Sequence, residues 1–250
     1  MSARTFAIGD VHGDIDQLFT LLKRFPTLHK EDRVVFLGDY VDRGPRSAEV
    51  VEFVRKVFPD QTPAEIVALR GNHEDAWLRV REKGFPEFIM PRTNGALETM
   101  RSYRSEPPPG EDDAPRANEF EDLFAGAFFP PEHLEWFAQL PYWYEDEHAI
   151  YVHAGLPQKD GQFQHPRDVE KKEILLWLRT ESFFTDYRGK RVIVGHTTTD
   201  CLPAELSSYT PADPTDLWAG EAVCALDTGC GKGGFLTALE LPAMRVYESR

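Results

Sequence analysis

Three short stretches of this sequence each set acidic, amide or imidazole side chains just behind a hydrophobic run. G-D-V-H-G carries Asp10 and His12, G-D-Y-V-D-R-G carries Asp39, Asp42 and Arg43, and G-N-H-E carries Asn72, His73 and Glu74. Two later stretches repeat the arrangement with a single histidine, Y-V-H-A-G with His153 and V-G-H-T with His196. Asp10, His12, Asp39, Asn72, His153 and His196 are all oxygen or nitrogen donors, and no cysteine is among them. Such a set suits two divalent ions in open sites, Mn²⁺ first and Fe²⁺ or Zn²⁺ next, rather than a closed structural zinc. Asp10 and His12 are two apart, so in an extended segment both point to one side. Asn72 and His73 are adjacent and diverge, which leaves one for metal and the other for a substrate.

Each residue alone has an ordinary explanation. An aspartate at a strand end caps a turn or helix, and a histidine in a strand is commonly a hydrogen-bonded core residue. Recurrence at five strand ends is what turn chemistry does not explain.

The elements that must bring these residues together follow from hydrophobic periodicity. Residues 4–10, 33–39 and 64–72 read as strands, and 14–25, 47–58 and 73–84 as the helices after them. Leu18, Leu21, Leu22 and Phe25 share one helical face. Strand–helix–strand repetition predicts a mostly parallel sheet with right-handed crossovers, and ligands of such sheets bind beyond the carboxyl ends of the strands. Further on, 131–141 and 170–179 read as helices, 142–155 as a hairpin, 191–197 as a buried strand, and 222–229 and 233–242 as two paired strands. The glycines at 229, 231 and 234 match G-x-G-x-x-G, but an alternating strand pattern follows them, so they read as a hairpin turn and not as a dinucleotide cradle.

A chain of 250 residues with no internal repeat and no linker reads as a single domain over 1–250. Net charge is −14, which argues against general nucleic-acid binding while leaving room for an anionic substrate held by a few local cations. No stretch is long and apolar enough to span a bilayer, no signal peptide is evident, and three cysteines without C-x-x-C spacing point to a reducing, cytoplasmic setting. No membrane partner is expected, and a monomer is the default. Residues 105–122, proline-rich and acidic, read as a mobile surface insert.

Taken in order, G-D-V-H-G, G-D-Y-V-D-R-G, G-N-H-E, H-A-G and G-H-T resemble the motifs of the phosphoprotein phosphatase family of calcineurin-like metallophosphoesterases, from about residue 5 to about 240. The compact length and the NGALETMRSY and WLR segments resemble its bacterial and phage serine/threonine branch. The resemblance implies an α/β fold with a central β-sandwich of mixed sheets flanked by helices. It also implies a dinuclear centre, with Asp10, His12 and Asp39 on one ion, Asp39, Asn72, His153 and His196 on the other, and Asp39 as the bridge. Arg43 and, through the W-x-R match, Arg179 are the implied phosphate contacts, and Asn72 is counted with them as well as with the ligands. Asp42 is expected to hydrogen-bond and orient His73, the proton donor to the leaving oxygen.

The implied reaction is hydrolysis of phosphoserine and phosphothreonine in phosphoproteins or phosphopeptides, extending to phosphotyrosine, by direct attack of a metal-bridging hydroxide. No Cys-x5-Arg or G-x-S-x-G elbow offers a competing chemistry. The alternative within the fold is a symmetrical dinucleoside tetraphosphate hydrolase, a group that resembles this chain but usually has alanine where Asp42 stands and G-N-H-D where this chain has G-N-H-E. A non-catalytic binding module is disfavoured because no ligand is missing. The acidic insert, counted as Glu106, Glu111, Asp112, Asp113, Glu119, Glu121 and Asp122, is expected to repel polyphosphates if it borders the cleft and to favour peptides with basic flanks. One departure from the family pattern is Thr198, Thr199 and Asp200 after G-H-T, where many relatives have proline.

Overall fold

The computed structural model describes residues 3–110, 112–209, 213 and 216–250; Glu111 of the acidic insert lies outside the described residues. In the first third, β1 (Thr5–Ile8), β2 (Arg33–Phe36) and β3 (Glu65–Ala68) run parallel, with Thr5 beside Arg33 and Arg33 beside Glu65. The helix Ile15–Leu22 and a helical run from Ser47 to Gln61 make the crossovers. The hairpin expected at 142–155 is β4 (Trp143–Glu145) against β5 (Ile150–Val152). A short ribbon, β6 (Gln158–Lys159) with β7 (Gln162–Phe163), precedes β8 (Val192–Val194), β9 (Trp218–Ala219) and β10 (Val223–Ala225). The chain closes with β11 (Thr237–Leu241) and β12 (Arg245–Glu248).

Two five-stranded mixed sheets result, ordered β12-β11-β1-β2-β3 and β4-β5-β8-β10-β9. Side-chain alternation explains why they stack. Ala7, Val35 and Leu239 on the first sheet and Tyr151, Ile193 and Cys224 on the second share one buried cluster. The alternate residues Phe6, Ile8, Val34 and Phe36 face the N-terminal helices. Val152, Val194 and Val223 face Leu175, Phe183 and Phe184 on the far side of the second sheet. A period of two in each strand thus feeds both faces of each sheet. The sheets are also joined by a polar contact, because Asp146 accepts hydrogen bonds from Thr5 of β1 at 2.7 Å and from Tyr151 of β5 at 3.1 Å.

Three expectations need correction. The segments at 222–229 and 233–242 are not partners: β10 pairs with β8 and β9 in one sheet, and β11 pairs with β1 and β12 in the other. The glycines between them, with positive φ at Gly229, Gly231 and Gly233, carry the chain from sheet to sheet, and only a bridge between Gly229 and Phe235 remains. The helix expected over 170–179 shrinks to Ile174–Trp177, because Leu178 turns extended and leads Arg179 out of it. The acidic insert ends in a helix, Phe120–Ala125, and four of its carboxylates, Glu106, Asp113, Glu119 and Asp122, are paired with arginines. Arg101 holds Asp113 at 3.0 Å and the buried Glu119 at 3.2 Å, Arg116 holds Glu106 at 3.1 Å, and Arg104 pairs with Asp122. That pairing removes much of the local negative charge from which repulsion of polyphosphates was expected.

Candidate metal centre

Each strand that ends beside the cleft delivers its polar residues within a few positions of its last paired residue. β1 leads to Asp10 and His12, β2 to Asp39, β3 to Asn72, β5 to His153 and β8 to His196, so both sheets contribute. The turns that do this are conformationally demanding. Eight non-glycine residues with positive φ occur among the described residues, and five of them are His12, Asp39, Asp42, Arg43 and His196. Left-handed backbone at such residues costs energy, and its concentration here marks a site whose geometry the surrounding fold enforces. The motif glycines have a steric reason. A Cβ on Gly71 would lie 2.1 Å from Asp39 Oδ1, and one on Gly195 would lie 2.0 Å from Asp10 Oδ1.

The donor atoms converge in two groups, His12 with Asp39 and His73, and Asp39 with His153 and His196. Asp39 belongs to both, as the bridging role requires. Asp10 joins the first, with Oδ2 at 3.9 Å from His12 Nε2. In the second group, Asn72 Oδ1 lies 2.9 Å from His153 Nε2 and 2.8 Å from His196 Nδ1, and Asp39 Oδ1 lies 3.5 Å from His153 Nε2. All six expected ligands are therefore brought together.

Several observations test whether these residues suit metal ions, and all agree. His12 donates Nδ1–H to the carbonyl of Val41 at 3.0 Å, and His153 donates Nδ1–H to Leu37 at 2.8 Å. Each bond fixes the tautomer that turns the Nε2 lone pair toward the centre. Burial lowers the pKa of His12, His153 and His196, which favours the neutral form that a ligand must have. Asp10 is pushed up by burial and by the carboxylates of Asp227 and Asp39, all three of them buried. Burial would raise Asp39 too, but the imidazoles of His153, His73 and His12 and the Arg43 guanidinium hold it below the usual carboxylate range. A buried carboxylate that feels two other buried carboxylates calls for cations.

The His73–Asp42 contact expected of the sequence is present. His73 Nδ1 lies 2.6 Å from Asp42 Oδ2, and His73 Nε2 lies 3.8 Å from Asp39 Oδ2, at the edge of the first group. Trp77 Nε1 donates to Asp42 at 3.0 Å and Thr99 Oγ1 at 2.5 Å, so the carboxylate is fixed from three directions. Arg43 is half-buried and donates to His12 Nε2, which sets its guanidinium at the first group. Arg179 is exposed and lines a cavity with Thr197; its charge helps to lower the pKa of the neighbouring His196, after burial and His153.

Two residues that matter here are assigned no part in the site from the sequence. Glu74, fully buried, accepts backbone N–H bonds from Asp39 at 3.0 Å, Tyr40 at 2.8 Å and Gly71 at 2.9 Å, tying the Asp39 turn to the start of the Asn72–Lys83 helix. Asp227 follows β10, a sixth strand end that carries a polar residue, and is paired with Lys232 at 3.5 Å. Its signal was available, since L-D-T-G repeats the strand, aspartate, glycine pattern of the first two motifs.

The sequence profile of the calcineurin-like phosphoesterase family matches residues 3–219. The chain belongs to that family. Among its curated relatives, the serine/threonine-protein phosphatase 4 catalytic subunit of Candida glabrata is 42% identical over 82 residues, 33% of this chain and 26% of the relative. The asymmetrical bis(5'-nucleosyl)-tetraphosphatase PrpE of Bacillus velezensis is 33% identical over 112 residues, 42% of each chain. The chain thus spans less than half the length of these relatives. A metallophosphoesterase structure from Sphaerobacter thermophilus superposes over 98% of this chain and 87% of that one, with a TM-score of 0.53 and 18% identity. A cold-active protein-tyrosine phosphatase of a psychrophilic Shewanella gives 0.54 at 17% identity, covering 96% of this chain and 77% of that one. These structures share the fold of this calcineurin-like phosphoesterase, which is the sandwich of mixed sheets that its sequence motifs imply. The family works through a dinuclear divalent centre, and the two donor groups of this chain match that requirement.

Proposed function

We propose that this phosphoesterase is a metal-dependent protein phosphatase that hydrolyses phosphoserine and phosphothreonine monoesters, with phosphotyrosine within its range. The observation that carries the reading is the buried Asp42–His73 pair beside the shared Asp39. An alkoxide leaving group such as serine needs a proton as the P–O bond breaks, and an oriented imidazole is the group to supply it. Asp10, His12 and Asp39 would hold one ion, and Asp39, Asn72, His153 and His196 the other. Bound there, two divalent ions, Mn²⁺ in our reading, supply positive charge against the phosphoryl oxygens and acidify a water molecule. Arg43 and Arg179 would clamp the phosphoryl oxygens from outside the metals, Arg43 by its bidentate fork. Asn72 serves both as ligand and as a neighbour of the phosphate. His73, held through Nδ1 by Asp42, delivers its proton from Nε2 to the departing oxygen.

Three cysteines without disulfides fit a cytoplasmic enzyme, which we propose works as a monomer. No helix among the described residues is long and apolar enough to cross a membrane.

A second reading, hydrolysis of symmetrical dinucleoside tetraphosphates, is supported by the symmetrical bis(5'-nucleosyl)-tetraphosphatases among the relatives and by a cationic cavity beside Arg43. A panel of phosphopeptides against diadenosine tetraphosphate, assayed with Mn²⁺ in excess, separates the two. Higher kcat/KM for phosphopeptides is expected; preferred cleavage of the dinucleotide overturns the first reading.

A further inference from the structure

Next to the metal centre, on the side of Arg43, lies a cavity of about 500 Å³ whose wall includes Arg43, Arg92, Asn94, Gly95, Gly231 and Lys232. Three cations against one carboxylate, Glu98, face this space in a chain whose net charge is −14. The cations are only partly spent within the protein. Arg92 places Nη1 on Glu98 at 2.5 and 2.6 Å, while its Nε is buried and has no hydrogen-bond partner. Lys232 reaches Asp227 at 3.5 Å, a long contact that leaves its other protons free. Its charge acts on Asp10 and His12, so the cavity adjoins the first group of donors.

The wall between the two spaces is thin for a steric reason. A Cβ on Gly231 would lie 2.6 Å from His12 Cβ, and one on Gly95 would lie 1.9 Å from the Arg43 amide nitrogen. Both glycines have positive φ, so side chains are excluded where the cavity meets the centre. Arg43 stands between the two, in contact with His12 on one side and lining the cavity on the other.

We propose that Arg43, Arg92 and Lys232 form a second anion subsite, which holds another phosphate group of the substrate whose scissile phosphate lies at the metals. The proposal rests on the phosphoesterase reading above and adds what that reading lacks, a reason to prefer substrates with two phosphates. The second phosphate has two possible sources, a neighbouring phosphorylated residue of a peptide or the next phosphate of a polyphosphate chain. Local cations of this kind strengthen binding of the more highly charged ligand and do so less as salt rises.

The test compares the wild-type protein with Lys232→Gln and Arg92→Gln. With Mn²⁺ in excess, inorganic pyrophosphate is expected to inhibit about tenfold more strongly than inorganic phosphate, and each variant to close most of that gap. Equal inhibition by the two anions in the wild type, or a variant that weakens both to the same extent, overturns the subsite. Calorimetry supplies a readout without turnover: metal-stripped wild-type protein should bind pyrophosphate more tightly than stripped Lys232→Gln, and equal binding counts against the proposal. Doubly phosphorylated peptide and diadenosine tetraphosphate then identify the source, as the one whose kcat/KM falls further in the variants than that of a singly phosphorylated peptide. A fall for neither overturns the proposal. Failure of the metal-loaded protein to hydrolyse any phosphomonoester refutes the phosphatase reading instead, and calorimetry still decides the subsite.

Discussion

Asp42 Oδ2 and His73 Nδ1 meet at 2.6 Å in a place that solvent does not reach, and Trp77 and Thr99 hold the same carboxylate from its other sides. His73→Asn should therefore lower kcat by roughly 10²–10⁴-fold while metal content stays unchanged. The loss should shrink for aryl phosphates, whose leaving groups need little protonation. Equal losses for good and poor leaving groups would show that His73 is not the acid.

Asp39 is the one donor common to both groups. A chelator is expected to abolish turnover and Mn²⁺ to restore it, and Asp39→Asn to lose activity together with about one metal ion per chain. Metal content measured by mass spectrometry checks the second point. Full turnover by metal-stripped protein would refute the assignment.

Arg179 follows an extended residue and so does not cap a helix, which removes the structural explanation for its charge. Arg179→Ala should weaken both turnover and inhibition by inorganic phosphate. Unchanged phosphate inhibition would separate Arg179 from the site.

Glu74 accepts three or more backbone N–H bonds where solvent cannot replace it. Glu74→Gln turns an acceptor toward the same donors as an N–H₂ group, and should cost about 1–3 kcal/mol of stability. Denaturant titration measures it, and a variant as stable as the wild type would show that the turn is held by other contacts.

Asp146 links the two sheets through Thr5 and Tyr151. Burial would raise its pKa, but the bonds from Thr5, Ala149, His148 and Tyr151 prevail and lower it. A depressed carboxyl contributes stability that is present above its unfolded value of about 3.9 and is lost as pH falls through the lower folded value. Asp146→Asn should be less stable than the wild type at pH 7, with the gap narrowing below about pH 4. Parallel stability curves across that window would refute the role.

Much of this site was readable from the chain because its donor residues sit just past strand ends with glycines beside them. Asp10, His12, Asp39, Asn72, His153 and His196 all declare themselves that way. The partner of β11 did not, because alternation reveals that a strand has two faces but not which edge it joins. Glu74 stood in a quoted motif, yet its task is to accept backbone N–H groups from a turn more than thirty positions earlier, and such contacts leave no pattern in side-chain types. Lys232 and Arg92 are far apart along the chain and meet only because the glycine-rich crossing brings one beside the other.

The pairing of Thr5 with Leu241 has a consequence for how the protein is made. On the ribosome, β1 emerges before β11 and waits for it with one edge unpaired, and Asp10 likewise waits for the His196 amide that it accepts at 3.0 Å. Contacts of such long sequence separation form slowly. A nascent chain halted before residue 237 would already carry all six proposed ligands without the strand that fixes the first of them. Tight metal capture should accordingly wait until β11 has left the exit tunnel and joined β1.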